Sequence, residues 1–382
     1  MDVYINDIGV FLPNAPVDND HIEQVLGKIG DIPSRTRRRI LNNNGIQTRY
    51  YAIDPATGQL THTNAGMTAA AIRALKPYPD FILDDIECLC CGTSTPDLIL
   101  PGHGPMVHGE LGCRPCEVMT TAGICLCGIT AFKYAWMNVA SGHSGNAVAT
   151  GSELASSYIR AGFFQYKSST TPADLEKEPA LAFNADFLRW MVSDAAGAVF
   201  LSNRKNEKGL SLRVDWIDHL SFASILDTCM YAGGVKLDDG SMIGWRHAES
   251  LEKALRQDYF PIKQDAGQLN EEIIQTAVDR TLTRVIEKRN LQVKDFDWFL
   301  PHYSSEYFRD KLYDRMAAIG FTIPYEKWFT NLVTKGNTGS ASIFVIMEEL
   351  FHSGKLQAGQ KLLCFIPESG RFSMAYMMLT VI

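Results

Sequence analysis

Short apolar runs alternate with longer periodic stretches along most of the chain. Short runs predict buried β-strands, and apolar residues spaced three or four apart predict helices. Strands that alternate with helices are typical of α/β proteins, in which helices cover a parallel or mixed sheet. The predicted strands are 2–11, 86–91, 146–151, 196–202, 211–216, 296–300, 361–366 and 374–382. The predicted helices are 64–75, 102–111, 125–141, 270–290, 304–318 and 338–352.

Two of these helices, 125–141 and 338–352, are apolar on nearly every side. Such a helix lies in the interior, so we expect a central helical layer between sheets. Helix 270–290 is instead amphipathic and is predicted to lie at the surface. The residues of its apolar face are Ile274, Ala277, Val278, Thr281 and Val285.

The two interior helices belong to a unit that occurs twice. In the first copy, Cys125 stands at the start of the helix, and a Ser-Gly pair ends it at Gly142. In the second copy, Asn337 stands at the start, and a Ser-Gly pair ends the helix at Gly354. In both copies the two positions are 17 residues apart. An acidic turn and an apolar run precede each copy.

The repeat predicts two related halves, 1–205 and 206–382, whose seam lies in the polar stretch 202–209. When the two copies of the repeat are aligned in this register, His302 of the second copy corresponds to Gly92 of the first. The halves therefore differ where a cysteine, a histidine and an asparagine occur. This difference predicts an active site where the halves meet.

Each of these three residues has a chemical and a structural interpretation. Cys125 at a helix N-terminus is expected to ionise more readily, because free N–H groups and the helix dipole favour the thiolate. His302 follows a buried strand, at the edge where open α/β sheets bind ligands. The alternatives are a buried structural cysteine, a loop histidine and, for Asn337, a helix N-cap. Their matching positions in two repeats favour the chemical interpretation.

Composition excludes several classes of function. A net charge of −7 over 382 residues argues against nonspecific nucleic-acid binding. No apolar run is long enough to span a bilayer, and the start "MDVYINDIGVFLP" does not resemble a secretion signal. Nine cysteines, an odd number mostly bunched together, do not suggest a disulfide framework. A cytoplasmic location fits these features.

The remaining motifs are weaker. Cys113 and Cys116 have metal-like spacing but no second pair, so zinc is not expected. The basic run 35–39 is interpreted as a solvated loop or as a contact for the phosphate of a pantetheine arm or for an acidic carrier protein. Two aromatic-rich excursions outside the repeat, 155–190 and 222–268, are expected to cap or line a pocket, or to form a dimer contact.

At the three positions of the repeat the chain resembles β-ketoacyl-acyl-carrier-protein synthase III, a condensing enzyme with the thiolase fold. The resemblance covers nearly the whole chain outside the excursions, and "GNTGSAS" around Asn337 and the pair 301–302 are its most specific motifs. It implies a layered αβαβα fold of two pseudo-symmetric halves, paired in a homodimer. It also implies that Cys125 accepts an acyl group and that His302 and Asn337 promote decarboxylation. Acyl-coenzyme A or phosphopantetheinyl acyl carrier protein is the implied substrate, with no cofactor or metal.

The chain departs from the family pattern at several positions. Leu126 and Cys127 replace small residues, Asn43 replaces an arginine that contacts coenzyme A, and Ser305 replaces an asparagine. Arg371 replaces the third glycine of a late turn. These changes resemble the specialised branch that makes dialkylresorcinols, cyclohexanediones or other secondary metabolites.

Further roles follow from the resemblance. The backbone N–H groups of Cys125 and of the Gly370–Arg371 turn are expected to stabilise an oxyanion. Glu153 and Arg371, if both enter the cavity, bind a β-keto substrate or assist a ring-closing condensation. Otherwise they form a peripheral ion pair or lie in a solvated loop.

Other functions remain open at this point. One is acyl transfer from Cys125 to an alcohol or amine without decarboxylation. Another is a non-catalytic partner subunit resembling a chain-length factor, which is disfavoured because all three positions of the triad are filled. No motif supports metal or nucleotide binding.

Overall fold

The computed structural model describes residues 1–29, 34, 36–163 and 187–382. The strands found there are β1 (Tyr4–Phe11), β2 (Val17–Asp18), β3 (Thr48–Arg49), β4 (Cys88–Thr93), β5 (Glu117–Ala122), β6 (Asn146–Glu153), β7 (Ala195–Ser202), β8 (Leu212–Ser221), β9 (Met230–Tyr231), β10 (Gly234–Lys236), β11 (Met242–Gly244), β12 (Lys263–Gln264), β13 (Trp298–Pro301), β14 (Lys361–Glu368) and β15 (Ser373–Val381). The α-helices are α1 (Ile22–Leu26), α2 (Arg37–Asn44), α3 (Asn64–Arg73), α4 (His103–Leu111), α5 (Cys127–Ser141), α6 (Ser156–Ile159), α7 (Leu251–Arg256), α8 (Ala266–Gln275), α9 (Thr283–Arg289), α10 (Arg309–Ala318), α11 (Leu332–Lys335) and α12 (Ser342–Phe351).

Nine strands form one mixed sheet in the order β13-β14-β15-β8-β1-β7-β6-β4-β5. In the first half β4 pairs parallel with β6, which pairs antiparallel with β7, which pairs antiparallel with β1. In the second half β13, β14, β15 and β8 repeat these three pairings in the same order. The predicted α/β fold of two pseudo-symmetric halves is therefore confirmed.

The two halves are hydrogen-bonded to each other through a short contact. The first residues of β1, Tyr4 and Ile5, pair with Arg213 and Leu212 of β8. This contact makes one continuous sheet where the sequence predicts separate ones. The boundary between 205 and 206 lies between β7 and β8 and stays a prediction.

Helices α5 and α12 lie in the interior, as predicted. They share one apolar core with strands of both halves, and the rings of Phe132 and Phe344 meet edge to face with centroids 6.4 Å apart. The apolar surface of α12 is covered, because it packs against strands and against α5. Helix α5 is buried on one side only, and its Met137 is 47% exposed. The N-terminal ends of α5 and α12 thus lie near the pseudo-symmetric centre.

The amphipathic helix is also confirmed, with one difference. It runs as α8 and α9 joined by a π-helical segment, Thr276–Leu282, which the sequence does not predict. Of the predicted apolar face, Ala277, Val278, Thr281 and Val285 are almost fully buried, whereas Ile274 is only partly buried. A π-turn widens a helix locally, and such turns are frequent at functional sites.

The excursion 222–268 contains strands β9 to β12 and α7, in small two-stranded sheets. Most of the excursion 155–190 lies outside the described residues, as does Arg35 of the basic run. Within the described ranges, none of the helices combines the length and apolar content that crossing a bilayer requires.

Candidate active site

Cys125 lies in the turn between β5 and α5. The backbone N–H of Cys127 donates to the carbonyl of Ile124 at 3.1 Å, and this bond closes the turn. Helix α5 therefore begins at Cys127, two residues later than predicted, and Leu126 occupies the N-cap position. Cys125 precedes the helix and is held in the turn.

The thiol of Cys125 is not activated in the expected way. Burial raises its pKa, and the carboxylates of Glu153 and Glu368 raise it further. A thiolate is disfavoured wherever solvent is excluded and negative charges are near, and here these effects outweigh the helix dipole. The expectation of a readily ionised thiol is therefore wrong, and Cys125 is protonated at neutral pH.

This protonation state predicts slow alkylation of Cys125. Because only the thiolate reacts, iodoacetamide should modify Cys125 more slowly than a free model thiol at pH 7. The rate should keep rising as pH increases through 9, since the pKa lies above its ordinary value. Peptide mass spectrometry after timed alkylation measures this rate. A plateau reached near pH 7 would show instead that the thiol ionises readily.

His302 follows the last residue of β13. Its backbone N–H donates to the carbonyl of Phe365 at 2.9 Å, which continues the parallel pairing of β13 with β14. The side chain is buried, and burial lowers the pKa of the imidazole to about 4. The ring is therefore neutral at pH 7, so it donates from one nitrogen and accepts at the other.

Asn337 is fixed by backbone bonds to the first half. Its N–H donates to the carbonyl of Met191 at 3.0 Å, and its carbonyl accepts from the N–H of Ser193 at 2.8 Å. Gly336 before it has φ +73°, and a side chain there would press against Ser193 and Arg49. Glycine is thus required next to Asn337.

Asn337 is not a helix N-cap, because α12 begins at Ser342, after a 3₁₀ turn at Gly339–Ala341. Its side-chain oxygen accepts from the N–H of Gly339 at 3.1 Å. That bond orients the carboxamide so that its NH₂ group is left to donate elsewhere. The capping alternative is therefore wrong for α12, and the catalytic role of Asn337 stays a prediction.

Two inner cavities meet at Cys125. The asparagine cavity, of about 60 Å³, is lined by Cys125, Asn337 and Glu153. The histidine cavity, of about 40 Å³, is lined by Cys125 and His302. Both are otherwise mostly apolar, and Ser304 and Ser369 line both. The structure therefore brings all three predicted residues to adjoining cavities that share Cys125.

Glu153 lies inside the asparagine cavity and is almost fully buried. One carboxylate oxygen accepts from the hydroxyls of Ser94 at 2.6 Å and Thr95 at 3.0 Å. The other accepts from the N–H groups of Ser94 and Ser340, each at 3.3 Å. Neither a peripheral ion pair nor a solvated loop describes this residue. Its carboxylate joins the turn after β4 to the turn that carries Asn337.

Arg371 is separated from Glu153. It is exposed, its Nε donates to the carbonyl of Leu226 at 3.2 Å, and it lines a larger outer cavity that Cys125 does not line. Gly370 lines the same outer cavity, and its N–H donates to the carboxylate of Glu368. The condition that Glu153 and Arg371 both enter the cavity of Cys125 is therefore not met, since Glu153 lines the asparagine cavity and Arg371 lines the outer one. The N–H of Gly370 already donates to Glu368, so it is not free to stabilise an oxyanion.

The outer cavity, of about 660 Å³, borders the turn of Cys125 through Gly123, Ile124 and Leu126. The excursion 222–268 covers it, as predicted for a segment that lines a pocket. The lining residues from this excursion include Met230, Tyr231, Trp245, Phe260 and Ile262. Glu368, a buried carboxylate at the end of β14, is the functional candidate that the sequence does not reveal.

The described residues contain no group of three His, Cys, Asp or Glu side chains arranged to hold a metal ion. Cys113 and Cys116 are partly buried, and burial raises the pKa of both thiols, that of Cys116 to about 11.

Arg37 of the basic run contacts Glu23 at 2.9 Å and is not a freely solvated residue.

Comparison with known proteins agrees with the fold. Residues 286–371 match the family described as 3-oxoacyl-[acyl-carrier-protein (ACP)] synthase III C terminal. The chain is 23% identical over 355 residues to β-ketoacyl-[acyl-carrier-protein] synthase III of Clostridium perfringens, covering 93% of this chain and 92% of that protein. The solved structure of AbyA1, a tetronic acid condensing enzyme, has a TM-score of 0.74 at 17% identity and covers 99% of each chain. Xanthomonas campestris OleA has a TM-score of 0.74 at 17% identity, covering 100% of this chain and 98% of that one. The chain is thus similar to β-ketoacyl-[acyl-carrier-protein] synthase III over most of its length, and it shares the fold of these solved structures.

Proposed function

We propose that this chain catalyses a decarboxylative Claisen condensation. An acyl group held on Cys125 is joined to a malonyl- or β-ketoacyl-thioester, carried by coenzyme A or an acyl carrier protein. The observation that carries this proposal is the pair of inner cavities that share Cys125, one with Asn337 and the other with His302.

The first step is acylation. The sulfur of Cys125 attacks the donor thioester, and because its pKa is raised, the proton leaves during the attack and passes to the departing thiolate. The backbone N–H of Cys125 remains a candidate donor to the oxyanion. One such donor stabilises a transition state by about 3 kcal/mol.

The second step is loss of CO₂ from the extender. His302 is neutral and Asn337 presents its NH₂ group, so both can donate to the thioester carbonyl oxygen as an enolate develops there. The enolate carbon then attacks the acyl-Cys125 carbonyl and the carbon–sulfur bond breaks, which gives a β-ketoacyl product and the Cys125 thiolate. The thiolate takes up one proton from solvent. The mostly apolar lining limits the entry of water, which would hydrolyse the thioester or protonate the enolate.

Measuring CO₂ and product together tests the proposed reaction. Acyl-coenzyme A donors of graded length are supplied with malonyl-acyl carrier protein, and each product formed should be matched by one CO₂. Acyl transfer to an added alcohol or amine without CO₂ would favour the acyltransferase alternative and contradict the condensation.

Glu153 is proposed to be a positioning residue, which holds the turns of Ser94 and Ser340 in place. Replacing it by Gln puts a donor where the carboxylate accepts four bonds, which disturbs the turns of Ser94 and Ser340. We expect Glu153→Gln to lower acylation and condensation alike by about tenfold, the equivalent of one or two lost hydrogen bonds. Single-turnover rates of both steps measure this effect. A change confined to the ratio of cyclised to linear product would show instead that Glu153 acts in ring closure.

We propose that two copies of the chain form a homodimer through one edge of the sheet. Strand β5 forms one edge of the sheet that the described residues build, and the loop between β4 and α4 exposes Leu98, Ile99 and Leu100. Apolar exposure beside an unpaired edge favours association of two copies. Light scattering should give twice the chain mass of 42.5 kDa, and Ile99→Asp with Leu100→Asp should lower it. A monomeric wild-type protein would contradict this proposal.

A further inference from the structure

Two buried carboxylates flank Cys125 from different sides. Glu153 lines the asparagine cavity together with Cys125, and Glu368 lines the outer cavity beside Ile124 and Gly370. Glu368 is 7% exposed and Glu153 3% exposed, so water screens their charges poorly. Burial raises the pKa of both carboxyl groups, and the hydrogen bonds that each group accepts oppose that rise. When both are ionised, an acyl group entering at Cys125 meets negative charge on two sides.

Little positive charge offsets these carboxylates. Among the described residues that line the three cavities, Arg371 is the one lysine or arginine, and it is exposed with its Nε on the carbonyl of Leu226. His219 also lines the outer cavity, but burial lowers the pKa of its imidazole, so it is neutral at pH 7. Lys133 also lowers the pKa of His219, but it lines none of the three cavities. Among the described residues that line the cavities, carboxylates therefore outnumber cations.

Glu368 is a fixed part of this arrangement. Its two carboxylate oxygens accept from the N–H groups of Gly370 and of Ser373, the second at 3.2 Å. These bonds hold the carboxylate at the end of β14, facing the outer cavity. The charge thus cannot turn away from an arriving substrate without breaking both bonds.

We propose that Glu368, with Glu153, selects the acyl donor by charge, so that uncharged acyl groups acylate Cys125 and carboxylate-bearing acyl groups are rejected. This inference rests on the proposed function, because it concerns which of two thioesters loads the cysteine. In that step the sulfur bonds to the carbonyl carbon, the donor's carbon–sulfur bond breaks, and the thiol proton passes to the departing thiolate. A malonyl extender is thereby kept from occupying the position of the donor.

Two like charges up to about 10 Å apart repel each other at an effective dielectric constant of about 20. This repulsion is large enough to lower the acylation rate by roughly tenfold or more. Succinyl-coenzyme A and its monomethyl ester give a matched pair, since they share the acyl chain and the leaving group and differ in the charged end. Intact-protein mass spectrometry measures the single-turnover acylation rate with each. Wild-type protein should react at least about tenfold faster with the ester, and in Glu368→Gln this ratio should fall by about tenfold.

Glu207→Gln is the matched control, because it removes one negative charge from an exposed turn and should leave the ratio unchanged. Equal wild-type rates with the two thioesters would overturn the inference without the need for any variant. A ratio in Glu368→Gln equal to that of wild type would also overturn it. If neither thioester forms an adduct on Cys125, the proposed function itself fails, and the inference fails with it.

Discussion

Cys125→Ala is expected to abolish the acyl adduct and to lower condensation by at least about a thousandfold. The reason is that the condensation has no acyl acceptor without the sulfur, and loss of a covalent nucleophile typically has effects of this size. Intact-protein mass spectrometry after mixing with acyl-coenzyme A measures the adduct directly.

Cys127→Ala is the matched control for this experiment. Cys127 is a neighbouring thiol, but it is buried at the start of α5 and its Sγ donates to the carbonyl of Ile124 at 2.9 Å. Its replacement should leave the adduct in place. An adduct that persists in Cys125→Ala, or one that disappears only in Cys127→Ala, would contradict the assignment of the nucleophile.

His302→Ala and Asn337→Ala are expected to separate the two half-reactions. Both side chains are proposed to donate to the extender's enolate, so CO₂ release should fall by about a hundredfold to a thousandfold in each variant. Acylation of Cys125 should persist, because the thiol loses its proton to the leaving group. Coupled measurement of adduct mass and CO₂ release follows both steps.

His219→Ala serves as the control, since His219 is a half-buried, neutral histidine that lines the outer cavity and not the inner ones. It should keep most of the CO₂ release. Loss of acylation in His302→Ala would show that the imidazole acts on Cys125, and the division of roles would then be wrong.

The fold and the positions of the three central residues follow from the sequence for a clear reason. The repeat carries apolar helices, strand patterns and the glycine before Asn337, and all of these depend on burial and backbone geometry that neighbouring residues encode. Strand β5 is missed because, as an edge strand, it is only partly buried and lacks a continuous apolar run.

The electrostatics of the site could not be predicted in the same way. The pKa of Cys125 depends on Glu153 and Glu368, which lie 28 and 243 residues away along the chain and meet it only in the folded protein. The bonds from Gly370 and Ser373 to Glu368 likewise depend on how the turn after β14 folds. Local sequence patterns carry no signal for such long-range proximity.

A double-mutant comparison of His302→Ala, Asn337→Ala and the combined variant tests most directly whether both side chains act on one oxygen. Groups that act as a unit lose their effect together, so the double variant should release CO₂ within about threefold of the slower single variant. A rate lowered by the product of the two separate losses would mean that they act independently, and the account of a shared reaction centre at Cys125 would be contradicted.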